Sequence, residues 1–339
     1  RSYAALALLV DELTGTSEIT SRWYQATNRS ADAPLFIVLQ QSPFAFGWRI
    51  IPSLTRGSAQ PAIIPIKVTR IDRQWALARD HERSQLDALT CKRAVFFGCG
   101  SLGAPAIELL ARAGVGTIEV VDPDTLQPEN VSRHPLGIRS TGLYKAKEIC
   151  TRLTNGIPGV KVTPHTTSAQ LRRAEGHPVP DLIIDCTGER SIRMAIAHAR
   201  NTTHRNVPTV MVWMEPFGAA VHVVTVNGAD SWPASDPAET KINVGHWPDD
   251  VERRHPGCGR GYHPFGMADA WEGASLATRR ALALLRGDEA DSDVVSLVRP
   301  RAFFEHVASG VTFNRDVQIP SGLDAVVLRR PLTEVLLGR

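Results

Sequence analysis

An apolar run, Arg93-Ala94-Val95-Phe96-Phe97, leads straight into Gly98-Cys99-Gly100-Ser101-Leu102-Gly103, and residues 104–113 then repeat apolar side chains at helical spacing. Few arrangements satisfy that order. A buried strand that turns sharply into a helix, with a second strand-like run at 117–121, defines a βαβ unit in a mostly parallel sheet. The glycines let the backbone turn tightly and approach a phosphate, while the helix N-terminus supplies free N–H donors and partial positive charge. Asp122 stands at the end of the next strand, where an acid that holds ribose hydroxyls belongs. These residues predict an α/β, Rossmann-like fold with flanking helices and a nucleotide beside residues 98–103. They suit NAD or FAD as well as ATP.

The same alternation continues down the chain. A helix is expected over 144–153, strands over 160–164, 181–186, 207–214 and 219–226, and a helix over 269–285. A polar, Pro-rich and Gly-rich stretch at 227–267 is too long for an ordinary connection and is expected to be functional. Three regions follow: a small strand-containing accessory region at 1–84, the nucleotide-binding domain at 85–300 with its crossover segment at 227–267, and C-terminal strands at 301–339 that pack on it. Because the chain opens at Arg1, the first region also reads as the end of a preceding domain.

Composition excludes more than it names. The 38 Lys and Arg nearly balance 35 Asp and Glu along the chain, which gives no electrostatic case for nucleic acid. No apolar run approaches the ~20 residues that span a bilayer. Five cysteines without a CxxC pair read as reduced thiols of a cytoplasmic protein. Cys99 is expected to be small and buried in the turn, and Cys91, Cys150 and Cys186 to lie on apolar faces.

Three further strings narrow the nucleotide. Asp122-Pro123-Asp124, Asn130-Val131-Ser132-Arg133 and Gly142-Leu143-Tyr144-Lys145 together resemble the ThiF/MoeB/HesA and ubiquitin-activating superfamily, over about residues 86–187. The resemblance implies ATP with Mg²⁺, and adenylation of the C-terminal carboxylate of a ubiquitin-like or sulfur-carrier protein. By the family pattern Asp122 contacts ribose, Asn130 a phosphate, Arg133 and Lys145 the triphosphate, and Asp124 the Mg²⁺ site. The chemistry agrees, since a carboxylate attacking a phosphate needs cations to neutralise the converging charge. An arginine ahead of the first strand is also expected at the triphosphate, with Arg79 the first candidate and Arg83 the second. A solvated helix face explains those two charges equally well. Family members commonly pair as homodimers, and the same is expected here.

Two departures stand out. The family's D-C-T-D-N is here Asp185-Cys186-Thr187-Gly188-Glu189, so Gly188 replaces the metal-binding acid and Asp185 or Glu189 must supply the oxygen. His134 follows Arg133 where the family has Gln, and Glu129 replaces Ser. The Arg133-His134 pair is similar to a bacterial subgroup of antiphage and ubiquitin-like operons, whose activating domain is often fused to a conjugating domain. In that subgroup's manner, His255-Pro256-Gly257-Cys258-Gly259 places Cys258 as the nucleophile that takes the activated carrier from AMP. Arg253, Arg254, His255 and Arg260 would favour its thiolate if they face it. A zinc site built on His246, His255, Cys258 and His263, or a cysteine without a role, stays open. Two other functions also stay open: an NAD- or FAD-dependent oxidoreductase, and a non-catalytic adenylation-fold scaffold, which the glycine at 188 motivates.

Overall fold

The computed structural model describes residues 3–29, 35–41, 44–51, 62–77, 83–167, 178–254, 261–288, 291–308, 310–314, 319, 321–322 and 324–338, with side chains at all of these except 24–29, 41, 83, 254 and 261. Two compact units divide the chain, Arg1–Trp75 and Ala76–Arg339. Among the described residues no helix is long and apolar enough to cross a membrane.

In the first unit, helices α1 (Tyr3–Thr14) and α2 (Glu18–Arg29) precede an antiparallel sheet of β1 (Leu35–Gln41), β2 (Phe44–Ile51) and β3 (Ala62–Ile66). Register places Ile37 opposite Trp48 and Ile50 opposite Ile63, so these side chains share one face. With Leu6 of α1 and the ring of Trp23 they form this unit's core. β2 went unread in the sequence because Gly47, Trp48 and Arg49 interrupt simple alternation.

The helical turn α3 (Arg73–Ala76) closes the first unit, and the second continues with α4 (Arg83–Thr90), β4 (Arg93–Phe97), α5 (Gly103–Arg112), β5 (Thr117–Val121), α6 (Lys145–Gly156), β6 (Lys161–His165) and β7 (Leu182–Asp185). After these come α7 (Arg190–Thr202), β8 (Thr209–Met214) and β9 (Ala220–Val226). Short strands β10 (Gly245–His246), β11 (Arg253–Arg254) and β12 (Gly261–Tyr262) lie in the crossover, ahead of α8 (Met267–Arg286), β13 (Asp293–Val298) and α9 (Arg301–Val307). The chain ends with β14 (Thr312–Phe313), β15 (Val326–Pro331) and α10 (Leu332–Leu337). The tail, expected as strands, is thus half helical.

Eight strands form one sheet in the order β15-β13-β9-β8-β7-β4-β5-β6. The run from β8 to β6 is parallel, and β9, β13 and β15 add antiparallel. Alternate side chains of β4 feed two layers, as strand geometry requires. Ala94 and Phe96 pack with Ile107 and Leu110 of α5 and with the alanines of α8. Val95 and Phe97 pack on the other face with Ile196 of α7. Each fully buried Phe or Leu stabilises the fold by about 1.5–3 kcal/mol relative to exposure. From β4 the chain winds outward through β5 and β6, then returns to β7 on β4's other side. That reversal opens a crevice beyond the strand ends between β4 and β7, where ligands of open α/β sheets bind.

Candidate functional site

The turn after β4 sits at that crevice and is built so that only glycine fits at two points. Gly98 has φ +88°, and a Cβ on Gly103 would lie 2.0 Å from the Gly98 carbonyl oxygen. The start of α5 therefore presses directly on the end of β4. Its first-turn amides carry no side-chain cap at Leu102, which leaves donors open toward the crevice.

Two buried side chains hold the turn through one residue. The Cys99 amide donates to Asp122 Oδ2 at 2.6 Å, and the Cys99 carbonyl accepts from His134 Nε2 at 2.8 Å. Because His134 Nδ1 accepts from the Leu136 amide, the ring is fixed as the neutral Nε2–H tautomer. Burial lowers its pKa in the same sense. Asp122 Oδ1 also accepts the Asp124 amide at 2.8 Å. Both its oxygens thus brace backbone, and each keeps a second lone pair for another donor. Burial raises the Asp122 pKa, with the two backbone donors opposing.

Lys145 opens α6 and lies on the flank of this turn. Its Nζ pairs with Asp124 Oδ2 at 3.2 Å, and it acts electrostatically on Asp122, Cys99 and His134. Asn130 turns its oxygen onto the Gln127 amide at 3.1 Å, closing its own short 3₁₀ turn.

The crevice itself is a cleft of about 540 Å³ lined by Gly100, Ser101, Leu102, Arg133, Thr187, Gly188, Trp213, Met214 and Glu215 among others. Of the two triphosphate cations expected from sequence, Arg133 lines this cleft, whereas Lys145 pairs with Asp124 beside it. The Arg133 guanidinium carbon lies 4.7 Å from the Phe265 ring centre and 5.9 Å from that of Tyr262. Burial lowers its pKa, while Glu129 opposes that shift.

Several cleft residues were not foreseen. Arg193 is buried, binds Asp236 through two bonds of 3.1 and 2.8 Å, and donates to the Gly188 carbonyl at 2.8 Å. Glu215 accepts from His222 and from Trp247 Nε1, both at 2.8 Å, and from the amides of Val244 and Gly245 at 2.5 and 2.9 Å. Buried acids bearing no motif leave no sequence signal; only the sheet topology reveals them.

The three carboxylates expected at a metal, Asp124, Asp185 and Glu189, do not gather. Among the described residues no three His, Cys, Asp or Glu form such a group. Asp124 is with Lys145, Glu189 is exposed at the start of α7 beside Ser191, and Asp185 is buried under the Thr187 amide and hydroxyl at 2.9 and 2.6 Å. Burial raises the Asp185 pKa to about 6. Gly188, standing where an acid was expected, has φ +70°, although a Cβ would meet only Trp213 at 3.8 Å. Space for a side chain exists there; the backbone conformation disfavours one.

Cys99, Cys150 and Cys186 are buried, and burial raises all three thiol pKa values, that of Cys150 to about 12. Cys91, expected on an apolar face, is exposed in the turn between α4 and β4, because α4 ends one residue earlier. Cys258, with the zinc alternative that shares it, and Arg79 lie outside the described residues, as does the Arg83 side chain.

A glycine turn at the reversal of a parallel sheet, with an arginine lining the same cleft, defines a nucleotide-binding α/β domain. Residues 71–242 match the model of the ThiF family, and the chain belongs to that family. The ATP-dependent ubiquitin transferase-like protein Cap2 of Vibrio cholerae is 27% identical over 64% of this chain and 39% of its own length. The adenylyltransferase and sulfurtransferase UBA4 of Yarrowia lipolytica is 33% identical over 38% of this chain and 32% of its own length. The chain thus spans about two fifths of the Cap2 relative and one third of the UBA4 relative. Escherichia coli MccB, in a crystal structure with AMPCPP and MccA, shares the fold at a TM-score of 0.52 and 11% identity, over 74% of this chain and 67% of that one.

Proposed function

We propose that this protein uses ATP to adenylate the C-terminal carboxylate of a ubiquitin-like or sulfur-carrier protein or a peptide. The observation that carries the reading is the shared cleft, which Arg133 lines together with residues 100–102 of the glycine turn; the relatives the chain matches are named an ATP-dependent ubiquitin transferase-like protein and an adenylyltransferase and sulfurtransferase. A carboxylate oxygen of the substrate attacks the α-phosphorus of ATP, the bond to the β-phosphate oxygen breaks, and pyrophosphate leaves. Amides at the helix start take the phosphate oxygens, Arg133 meets the charge that builds at the reacting phosphate, and Lys145 exchanges Asp124 for the nucleotide. Asp122 orients the turn through Cys99 and offers its remaining lone pairs to ribose.

Mg²⁺ would supply further neutralisation of the triphosphate. The donor set fits an ion carried mainly by phosphates, which asks the protein for only one or two carboxylates. Asp124 and Asp185 are the residues that would hold it, and Glu189 would reach it only from its exposed position. By family resemblance Cys258 then attacks the acyl carbonyl as thiolate and releases AMP, forming a thioester. A cytoplasmic homodimer working with a conjugating-enzyme domain completes the reading.

Purified protein should catalyse ATP–pyrophosphate exchange only when a carboxyl-terminal substrate is present. Arg133→Ala should abolish the exchange, and Cys258→Ala should keep it while losing the thioester. The left-handed Gly188, in place of an acid, favours one rival, a scaffold that binds nucleotide without chemistry. Nucleotide binding with no exchange in the presence of any carrier selects that rival.

A further inference from the structure

Arg133 lies over the ring of Phe265, and Phe265 stands directly before Gly266, the residue at which α8 starts. Where that helix starts therefore sets where the ring stands. A Cβ on Gly273 would lie 2.8 Å from Val221 of β9 and 2.9 Å from Leu102 of the glycine turn, so the helix backbone seats directly on both. One turn earlier, Asp269 presses on the connection between β8 and β9, where a Cβ on Gly218 would meet the Asp269 Cβ and Cγ at 2.8 Å. The two carboxylate oxygens divide their work: Oδ2 accepts the Gly266 amide at 2.8 Å, and Oδ1 accepts the Arg299 guanidinium at 3.0 Å. Arg299 closes the figure from β13's end, because its own amide donates to the Ala219 carbonyl at 2.9 Å and its guanidinium also reaches Glu272 at 3.1 Å.

Helix capping accounts for the bond to Gly266. It accounts for neither the contact with Gly218 nor the ion pair. The connection that Asp269 touches holds Phe217 at φ +62° and Gly218 at φ +66°, and a left-handed phenylalanine persists only where its surroundings fix it. Asp269 on one side, and Trp247 with its ring centre 5.9 Å from that of Phe217 on the other, are such surroundings. Resting on the adenylation reading, we propose that Asp269 is a positioning residue of the nucleotide site: anchored by Arg299 and the turn at 217–218, it fixes residues 265 and 266 and so keeps Arg133 directed at the triphosphate. A carboxylate suits the task because each oxygen accepts, whereas an asparagine must turn its NH₂ toward one of two donors. Loss of either bond lets Phe265 shift, and Arg133 moves with it. Electrostatics alone predicts the opposite sign, since removing a negative charge near the cleft strengthens binding of an anion.

The test titrates Mg-ATP into the full chain by calorimetry, with adenosine as a second probe that lacks phosphates. Asp269→Asn should weaken Mg-ATP about fivefold and leave adenosine within about 1.5-fold. In an Arg133→Ala background the same substitution should cost Mg-ATP less than about 1.5-fold, because the residue it acts through is gone. Arg299→Gln keeps the helix cap while releasing the same carboxylate, and should weaken Mg-ATP about threefold, again sparing adenosine. It carries the test where Asp269→Asn loses its cooperative melt. Equal weakening of Mg-ATP and adenosine in a folded variant overturns the assignment. So does an Asp269→Asn effect that persists in full beside Arg133→Ala, or an affinity for Mg-ATP that stays the same or rises. Unfolding of both variants also overturns it, since the role is then purely structural. Loss of Mg-ATP binding in the wild-type chain sinks the adenylation reading itself, and this assignment with it.

Discussion

Arg133 lies 4.7 Å from the ring of Phe265, its guanidinium lowered in pKa by burial yet aimed into the cleft that the glycine turn opens. An aromatic face holds the cation without hydrogen-bonding it, so the guanidinium's donors stay available to a phosphate. Phe265→Leu keeps apolar bulk and removes the ring's charge attraction. It should lower kcat/KM for ATP–pyrophosphate exchange by about threefold, against at least about 100-fold for Arg133→Ala. Wild-type kinetics in Phe265→Leu would show that Phe265 acts through packing alone.

The Cys99 peptide is held at its amide by Asp122 and at its carbonyl by His134. Removing either partner leaves a buried polar group unmatched, at a cost of about 1–3 kcal/mol. His134→Ala and Asp122→Ala should each lower the denaturation midpoint and weaken ATP binding. Their effects should be less than additive in the double variant, since both act on one turn. Chemical denaturation with and without Mg-ATP measures both quantities.

Asp185 gives a pH dependence of definite sign. Its folded pKa of about 6 exceeds the ordinary 3.8, so the folded protein holds a proton that the unfolded chain releases between those values. Folding loses stability as pH rises through that window, by up to about 3 kcal/mol, and regains it as pH falls below it. Asp185→Asn, which keeps an acceptor for Thr187, should therefore raise the melting temperature more at pH 7.5 than at pH 4.5. An equal rise at both would refute the assignment.

Glu215 ties β8 to His222 of β9 and to residues 244–247. Glu215→Gln must turn an amide donor toward groups that already donate, which loosens the cleft wall that residues 244–247 buttress. We expect KM for the carboxyl substrate to rise about tenfold or more while KM for ATP stays within about twofold, because the glycine turn does not touch this network. Steady-state exchange kinetics separate the two.

Much of this was legible beforehand for a physical reason. β4, the glycine turn, α5 and Asp122 sit within one contiguous stretch, where local sterics dictate local geometry. Arg133 and Lys145 were singled out because their spacing from Asp122 repeats a family pattern; Arg133 lines the cleft and Lys145 pairs with Asp124. Arg193, Glu215 and Phe265 were missed, since their meaning arises from strands and segments far apart in sequence. α7 was missed as well; its arginines hide an apolar face that becomes visible only when Ile196 meets Val95 and Phe97. His134 was noticed as an oddity without a purpose, and the structure gives it one.

The outermost strand, β15, is laid against β13 by the last segment of the chain, and Leu332 and Val335 of α10 are buried just after it. Truncation ahead of residue 326 would bare the amides and carbonyls of β13 along its whole length, a template on which a second molecule could assemble. Any shortening on that side would best stop after residue 338, beyond the anchor that keeps the sheet from recruiting its neighbours.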